Sequence, residues 1–545
     1  MVNFSAAFVF LFCLSIANGM AQDRYAVHFK YKPDAAFSLS QPEAFLTAKS
    51  LARRERDKVL LDSTDLPVSE KYIEAISPYI NRFIYHSKWL NASVVYAGEE
   101  EIQHISALDF VSEIKLVAKG GPGVLESSTK NYKIKRKKKH KKKAKDAANF
   151  SFQNNILGIT DMHEAGYTGE GVLVAIFDAG FLNVDKIPAF EHLFEDQKIY
   201  ATKDLVLPGS TSVFRTDTHG TGTLSLMASY DPENLIAGAY GANYILCITE
   251  DVDTEYRIEE YNWVKAAEFA DSLGVDLINS SLGYNFFDDS AMNYSKADLD
   301  GQTAIITKGA GMAADKGILV VSSVGNEGNI SWKTITVPSD AKTIISVGAI
   351  NSNFNKAGFS SVGPSVDDRI KPELVAYGTG VTLWRHEEGT SNSSGTSFSA
   401  PQVAALAVGL REANPDWTNK KLRAQLLLSG TQFTQPDNEI GYGVPDFTRA
   451  MFGKMEVEEE MDGKLPAKIY PNPLIKNELL IEFGIDTKCT MTLFSSDGKR
   501  VRVLELERNK NNFPYSVSME ILNPGIYLVE LQDSSSVSTV KLWKK

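Results

Sequence analysis

Four polar residues stand just past an apolar run or just ahead of an apolar helical stretch, where an open parallel sheet would offer them to a ligand: Asp178, His219, Asn326 and Ser397. Asp178 closes the run Val172-Leu173-Val174-Ala175-Ile176-Phe177, and Gly180 lets the chain turn away. An acid so placed either serves a reaction or caps the next turn. His219 lies in Thr218-His219-Gly220-Thr221-Gly222-Thr223, ahead of the helical pattern Leu224-Ser225-Leu226-Met227-Ala228. Small neighbours leave its imidazole room to meet a partner; the competing reading is a structural hydrogen bonder. Ser397, in Ser394-Gly395-Thr396-Ser397-Phe398-Ser399-Ala400-Pro401, runs into an apolar helix over 403–410. Free N–H groups at that helix start favour an oxyanion, although Thr396, Ser397 and Ser399 each also suit an N-cap. Asn326, in Val324-Gly325-Asn326-Glu327-Gly328, offers an amide donor to a developing negative charge, or simply turns the chain.

The elements that must position these residues alternate along some three hundred residues. Short apolar runs at 172–177, 244–248, 276–279, 318–324 and 343–347 read as strands covered on both faces. Helical patterns fit 261–273, 303–316 and 401–413, the last closing before Asn414-Pro415. Strand and helix in alternation predict a parallel α/β sheet flanked by helices over 151–452. Residues 22–118 mix strand patterns (25–31, 92–96, 111–117) with helical ones (44–60, 99–108), a small α+β domain. Residues 467–545 alternate short strands with the turns Pro471-Asn472-Pro473, Asp497-Gly498 and Asn523-Pro524-Gly525, as in a small β-sandwich.

Two linkers separate these units. In 119–150, after Gly120-Gly121-Pro122-Gly123, residues 133–145 hold ten Lys or Arg among thirteen, a block that repels itself. It reads as a solvated linker, as a processing region for a protease of basic specificity, or as a polyanion-binding arm. The acidic stretch 453–466 forms the second. Residues 1–21 carry an apolar run over 6–16 and end in Gly19-Met20-Ala21, the pattern of a cleaved secretory signal. That run is shorter than the ~20 residues a membrane span needs, so no transmembrane anchor is expected.

Composition excludes other classes. With 545 residues the chain exceeds one domain, and 43% hydrophobic against 23% charged residues is a globular balance. A net charge of −11 argues against nucleic acid as a partner. Three cysteines, Cys13, Cys247 and Cys489, supply neither a disulfide framework nor a four-thiolate metal site, and the last two are expected to be free. His163-Glu164 and His386-Glu387 begin like a zincin helix, but Tyr167 and Thr390 stand where the second His is needed.

The order Asp178, His219, Asn326, Ser397 resembles that of the subtilisin-type serine proteases, or subtilases. Further segments recur in family order: Gly169-Glu170-Gly171-Val172, Ser280-Ser281-Leu282-Gly283, Gly325-Asn326-Glu327-Gly328, Lys371-Pro372-Glu373-Leu374-Val375-Ala376, Gly395-Thr396-Ser397 with Ala400-Pro401, and Gly441-Tyr442-Gly443. The resemblance implies a subtilisin-like fold and a serine endopeptidase acting on protein or peptide substrates. In it Ser397 is the nucleophile, His219 the base, Asp178 the orienting acid and Asn326 an oxyanion donor. It also implies that Ser281, Leu282, Gly283 and Gly325 bind substrate, strand fashion. Three places depart from the family pattern: Ala179 replaces the common Thr or Ser, Gly222-Thr223 interrupts the usual His motif, and Tyr377 replaces a common Pro.

Residues 22–118 resemble the inhibitory propeptide ahead of many subtilases, through Ser87-Lys88-Trp89-Leu90-Asn91 and the stretch 102–117. The C-terminal segment resembles the type IX secretion sorting domain, through Tyr470-Pro471-Asn472-Pro473, Ser496-Asp497-Gly498-Lys499 and Leu522-Asn523-Pro524-Gly525-Ile526-Tyr527-Leu528. The expected partners are therefore the chain's own prodomain as inhibitor and the type IX machinery, with export through periplasm and outer membrane to the surface or medium. No cofactor is expected for catalysis; structural calcium is common in such proteases, but no loop here is distinctive enough to name. The alternative is a catalytically inactive surface binding protein on the same scaffold.

Overall fold

The computed structural model describes residues 22–33, 36–120, 149–452, 468–482, 488–495, 498–507, 515–532 and 537–545. The expected signal, most of the basic linker and the acidic linker lie outside the described residues. Two compact units result, one taking 22–36, 67–86 and 90–120, the other 37–66, 87–89 and everything from 149 onward.

The first unit is built on a four-stranded sheet, β1 (Arg24–Phe29), β2 (Arg82–Ser87), β3 (Ala92–Tyr96) and β4 (Val111–Ala118), in the order β2-β3-β1-β4. β1 runs antiparallel to both β3 and β4, and its inward Val27 and Phe29 pack with Val95, Ile105 and Val111. Of these strands only β2, whose pattern is mostly half-buried, is not foreseen from hydrophobic alternation.

The second unit contains helix α1 (Ala48–Asp57), N-capped by Thr47, and a seven-stranded sheet. The strands are β5 (Leu173–Asp178), β6 (Ile199–Asp204), β7 (Asn243–Ile248), β8 (Leu277–Ser280), β9 (Leu319–Ser323), β10 (Ile345–Ile350) and β11 (Leu374–Tyr377). Their order is β11-β10-β9-β8-β5-β7-β6, with every pair parallel. Apart from the first residue of β7, strands β5 and β7 to β11 are buried throughout, as a doubly covered parallel sheet requires. The edge strand β6 alternates instead, which is why it escapes an apolar-run search.

Helices α2 (His219–Ala228), α3 (Ile258–Leu273), α4 (Ile305–Asp315) and α5 (Ala400–Ala413) pack against this sheet. The hairpin β12 (Val381–His386) and β13 (Gly389–Ser393) precedes α5; its first strand buries Val381, Leu383 and Trp384, while its second is polar and has no apolar signature. Leu246 of β7, Leu224 of α2 and Leu406 of α5 are fully buried in one core. Cys247 and Cys489 are both buried; Cys247 is free, and burial pushes its thiol far up.

The C-terminal strands form a three-stranded sheet (Lys468–Tyr470, Glu478–Glu482, Tyr515–Ser518) and a four-stranded one (Arg500–Glu507, Lys488–Ser495, Gly525–Gln532, Val537–Lys544). Ile481 and Val517 of the one join Leu493, Val529 and Leu542 of the other in a common core, the arrangement of a sandwich.

Candidate active site

The site is assembled at the carboxyl ends of the central strands. β5 ends in Asp178, fully buried, and the next residue's N–H already donates to its Oδ1 (Ala179, 2.8 Å). α2 begins at His219, whose Nδ1 lies 2.8 Å from the same oxygen. The helix reaches the strand end because residue 220 lacks a side chain: a Cβ there would lie 2.2 Å from Gly180 O and 3.0 Å from Asp178 Cβ. Asp217 Oδ1 accepts the His219 N–H at 2.6 Å and so closes the exposed first turn.

The second carboxylate oxygen of Asp178 is also engaged. Thr223 Oγ1 donates to Oδ2 at 3.1 Å, while lying 3.0 Å from Gly220 O. Sequence reading registers Thr223 only as a departure from a motif, yet it follows His219 by four residues and so shares its helix face. A carboxylate is the stronger of the two acceptors, and the bond fixes the plane in which Asp178 meets the imidazole.

His219 is 27% exposed, its ring centroid 5.6 Å from that of Phe398. Burial opposes a charged imidazole, and Arg385, which stacks on Phe398 at 5.0 Å, opposes it as well. The charge and hydrogen bond of Asp178, with the charge of Glu250, outweigh both and hold His219 above its ordinary value.

Ser397 sits on a short 3-10 turn, Thr396–Phe398, directly before α5. Its Oγ donates to Ser281 O at 3.1 Å, not to His219, and Ser281 Oγ donates back to Ser397 O at 2.9 Å. Asn326 follows β9 and is exposed. Its Oδ1 accepts from Thr396 N (2.9 Å) and Thr396 Oγ1 (3.1 Å). A backbone N–H can only donate, so the amide orientation is determined and Nδ2 is left as the outward donor. Gly325, buried at φ 107°, makes that turn; a Cβ would meet Ser361 Oγ and Thr336 Oγ1 at 2.9 Å. Of Ser281, Leu282 and Gly283, which follow β8, only Gly283 is exposed. Ser281 is engaged with Ser397, and Leu282 is buried. Among the described residues no three of His, Cys, Asp or Glu are arranged to hold a metal ion.

A parallel sheet whose strand ends present an Asp–His pair, with a Ser at the start of a buried helix, carries the groups that serine hydrolases use. Residues 169–443 match the model of the subtilase family, 24–140 that of the peptidase S8 propeptide domain of Bacteroidota, and 468–545 that of the secretion system C-terminal sorting domain. The chain belongs to the subtilase family. Subtilisin NAT of Bacillus subtilis subsp. natto is 28% identical over 289 residues, 52% of this chain. The match spans 65% of that relative's length. The subtilisin of Bacillus pumilus is 28% identical over 277 residues, 50% of this chain and 87% of its own. A crystal structure of MycP1 from the ESX-1 type VII secretion system has 21% identity and a TM-score of 0.44, covering 57% of this chain and 88% of that one. The sorting domain marks the chain for type IX export to the cell surface or medium.

Proposed function

We propose that the chain is a secreted serine endopeptidase whose site is Asp178, His219 and Ser397 with Asn326. The observation that carries this reading is the 2.8 Å bond between Asp178 and His219 Nδ1 at the sheet edge where Ser397 begins a helix. In the reaction the Ser397 hydroxyl swings from Ser281 O to the imidazole and attacks the scissile carbonyl. His219 takes its proton and returns it to the leaving amine, while Asp178 keeps Nδ1–H in place. The N–H of Ser397 and Nδ2 of Asn326 hold the oxyanion. One such side-chain donor contributes about 3 to 4 kcal/mol in subtilisin itself. Substrate runs along the edge at Ser281, Leu282, Gly283 and Gly325, with Gly283 as its open position. The four residues supply nucleophile, base and oxyanion donors, so catalysis needs no cofactor.

The arrangement we infer along the chain is a signal at 1–21, an inhibitory propeptide at 22–118, a basic linker at 119–150, the catalytic domain at 151–452, an acidic linker at 453–466 and the sorting sandwich at 467–545. The match to a propeptide model supports an inhibitor that must be removed. The test is hydrolysis of an internally quenched peptide by the precursor, the processed chain and Ser397→Ala. We expect activity only after processing and only with the serine. Hydrolysis retained in full by Ser397→Ala, or equal activity before and after processing, contradicts the proposal.

A further inference from the structure

We propose that Glu250, Glu255 and Glu259 form a subsite for the Lys or Arg side chain of an extended peptide bound at the candidate active site. The proposal rests on the peptidase reading above and names the substrate class of that site.

Placement comes first. β7 pairs with β5 so that Ile248 lies opposite Asp178, and Thr249 N donates to Asp178 O at 3.0 Å. Glu250 therefore leaves the sheet on the same carboxyl edge, beside His219, and it is half-buried. The segment that follows is pinned: Glu255 N donates to Asp288 Oδ2 at 3.1 Å, and Asp288 N to Glu255 O at 2.9 Å. It leads into α3, whose first turn carries Glu259 and Glu260.

These two neighbours differ sharply. Glu260 is satisfied, accepting from Tyr294 OH (2.8 Å) and Ile306 N (3.2 Å). Glu259 is completely buried, with one oxygen 3.4 Å from Tyr256 N and Oε2 lacking any hydrogen-bond partner among the described residues. Tyr284 OH, too, is buried without a hydrogen-bond partner among the described residues. Tyr284, 1% exposed, stands immediately past Gly283, and its hydroxyl lies in the field of Glu259, Glu250, Glu255 and Glu260. Unsatisfied atoms of α3 and of the substrate edge thus lie in one electrostatic neighbourhood, which a folded interior avoids unless something else completes it.

The missing partner is a cation. Burial, then Asp178 and Glu255, push Glu250 up to about 8, with Asp217 adding to them and only His219 opposing. Burial and Asp288 push Glu255 to about 7; burial, Glu255, Glu250 and Asp251 push Glu259 to about 11. Arg257, the base within this stretch, is turned away onto the Tyr294 and Phe287 rings and donates to Met292 O at 2.7 Å. An ammonium or guanidinium entering beside Glu250 and Glu255, the half-buried members, would supply both charge and donors. The chain's own residues 133–145, ten of thirteen basic, are a ready source of such a substrate.

The test uses the processed wild type, Glu250→Gln and Glu255→Gln with three quenched peptides: a copy of residues 131–147, a neutral matrix carrying one Lys or Arg, and that matrix with norleucine instead. The wild type is expected to favour the basic residue over norleucine by about tenfold or more in kcat/KM. The ratio should grow from pH 6 to 9 as the carboxyls ionise; titration of His219 is common to both substrates and cancels. Each Gln variant should lower the ratio through KM, and its collapse in either one supports the subsite. Equal cleavage of basic and norleucine peptides by an active wild type, or a ratio unchanged in both variants, overturns the subsite and leaves the peptidase standing. Failure to cleave any peptide, together with no labelling by a fluorophosphonate, overturns the peptidase and the subsite with it.

Discussion

Two clusters of buried charge in the same compact unit are built on opposite terms. One joins α1 to α3 and α4: Arg53 and Arg54 bind Asp271, Arg54 binds Asp65 at 2.8 Å, and Lys316 binds Asp65 at 2.8 Å. All of these side chains are at most 6% exposed, and among the described residues every guanidinium nitrogen of Arg53 and Arg54 except Arg54 Nε finds an acceptor. Burial alone would raise Asp65, but Lys316 and Arg54 overcome it and hold the carboxyl below its ordinary value. The other cluster, Glu250, Glu255 and Glu259, gathers acidic groups alone and leaves Glu259 Oε2 without a partner among the described residues. Charge balance separates a region that ties residues 53–65 to α3 and α4 from one that awaits a ligand.

The widest break between chemistry and holding is expected from Asp178→Asn. It preserves shape but presents the wrong hydrogen-bonding partner to Nδ1, so kcat should fall about 10⁴-fold with an unaltered unfolding transition. A loss of stability comparable to the loss of rate would show that the site, too, is part of the scaffold.

Asp271→Ala does the reverse, leaving the buried Arg53 guanidinium without its carboxylate and Arg54 with Asp65 alone. In the Ser397→Ala chain, which keeps its N-terminal segment, denaturant unfolding should register a loss of about 3 to 5 kcal/mol. In a processed chain otherwise wild type, selectivity between basic and norleucine peptides should not move. A stability change within error would mean that the network is ornamental.

Thr223→Val sharpens the comparison inside the site. Losing the donor to Asp178 Oδ2 should lower kcat by about fivefold, the worth of about 1 kcal/mol, with KM unaltered because Thr223 does not face substrate. An unchanged kcat would assign the hydroxyl to Gly220 O alone.

The smallest effect concerns pH. His219 acts as base only when neutral, so kcat/KM should rise with pH through a limb above the ordinary imidazole value, about 6.5. Glu250 favours the charged imidazole; Glu250→Gln should therefore move the limb to lower pH, by less than about one unit, since Glu250 itself is only partly ionised there. A shift to higher pH would reverse the sign of this coupling.

What the sequence reveals follows from distance along the chain. Asp178, His219, Asn326 and Ser397 each follow an apolar run or precede a helix, and the central strands fall within three residues of the expected runs because burial on both faces writes itself locally. Thr223 was within reach, one turn from His219. The Glu250 cluster was not: it needs the neighbouring of β7 and β5 and the approach of residues 250–260 to Tyr284, which no periodicity encodes. The same holds for the reciprocal bonds of Ser281 and Ser397, 116 residues apart. Polar or half-buried strands, such as β13 and β2, lack the contrast that a pattern search requires.

The central claim is that Ser397 is the nucleophile activated by His219. Processed wild type and Ser397→Ala treated with a serine-directed fluorophosphonate, then mapped by peptide mass, test it most directly. We expect one adduct, on Ser397, absent from the variant; folded wild type that takes no adduct, or takes it on another serine, contradicts Ser397 as the nucleophile.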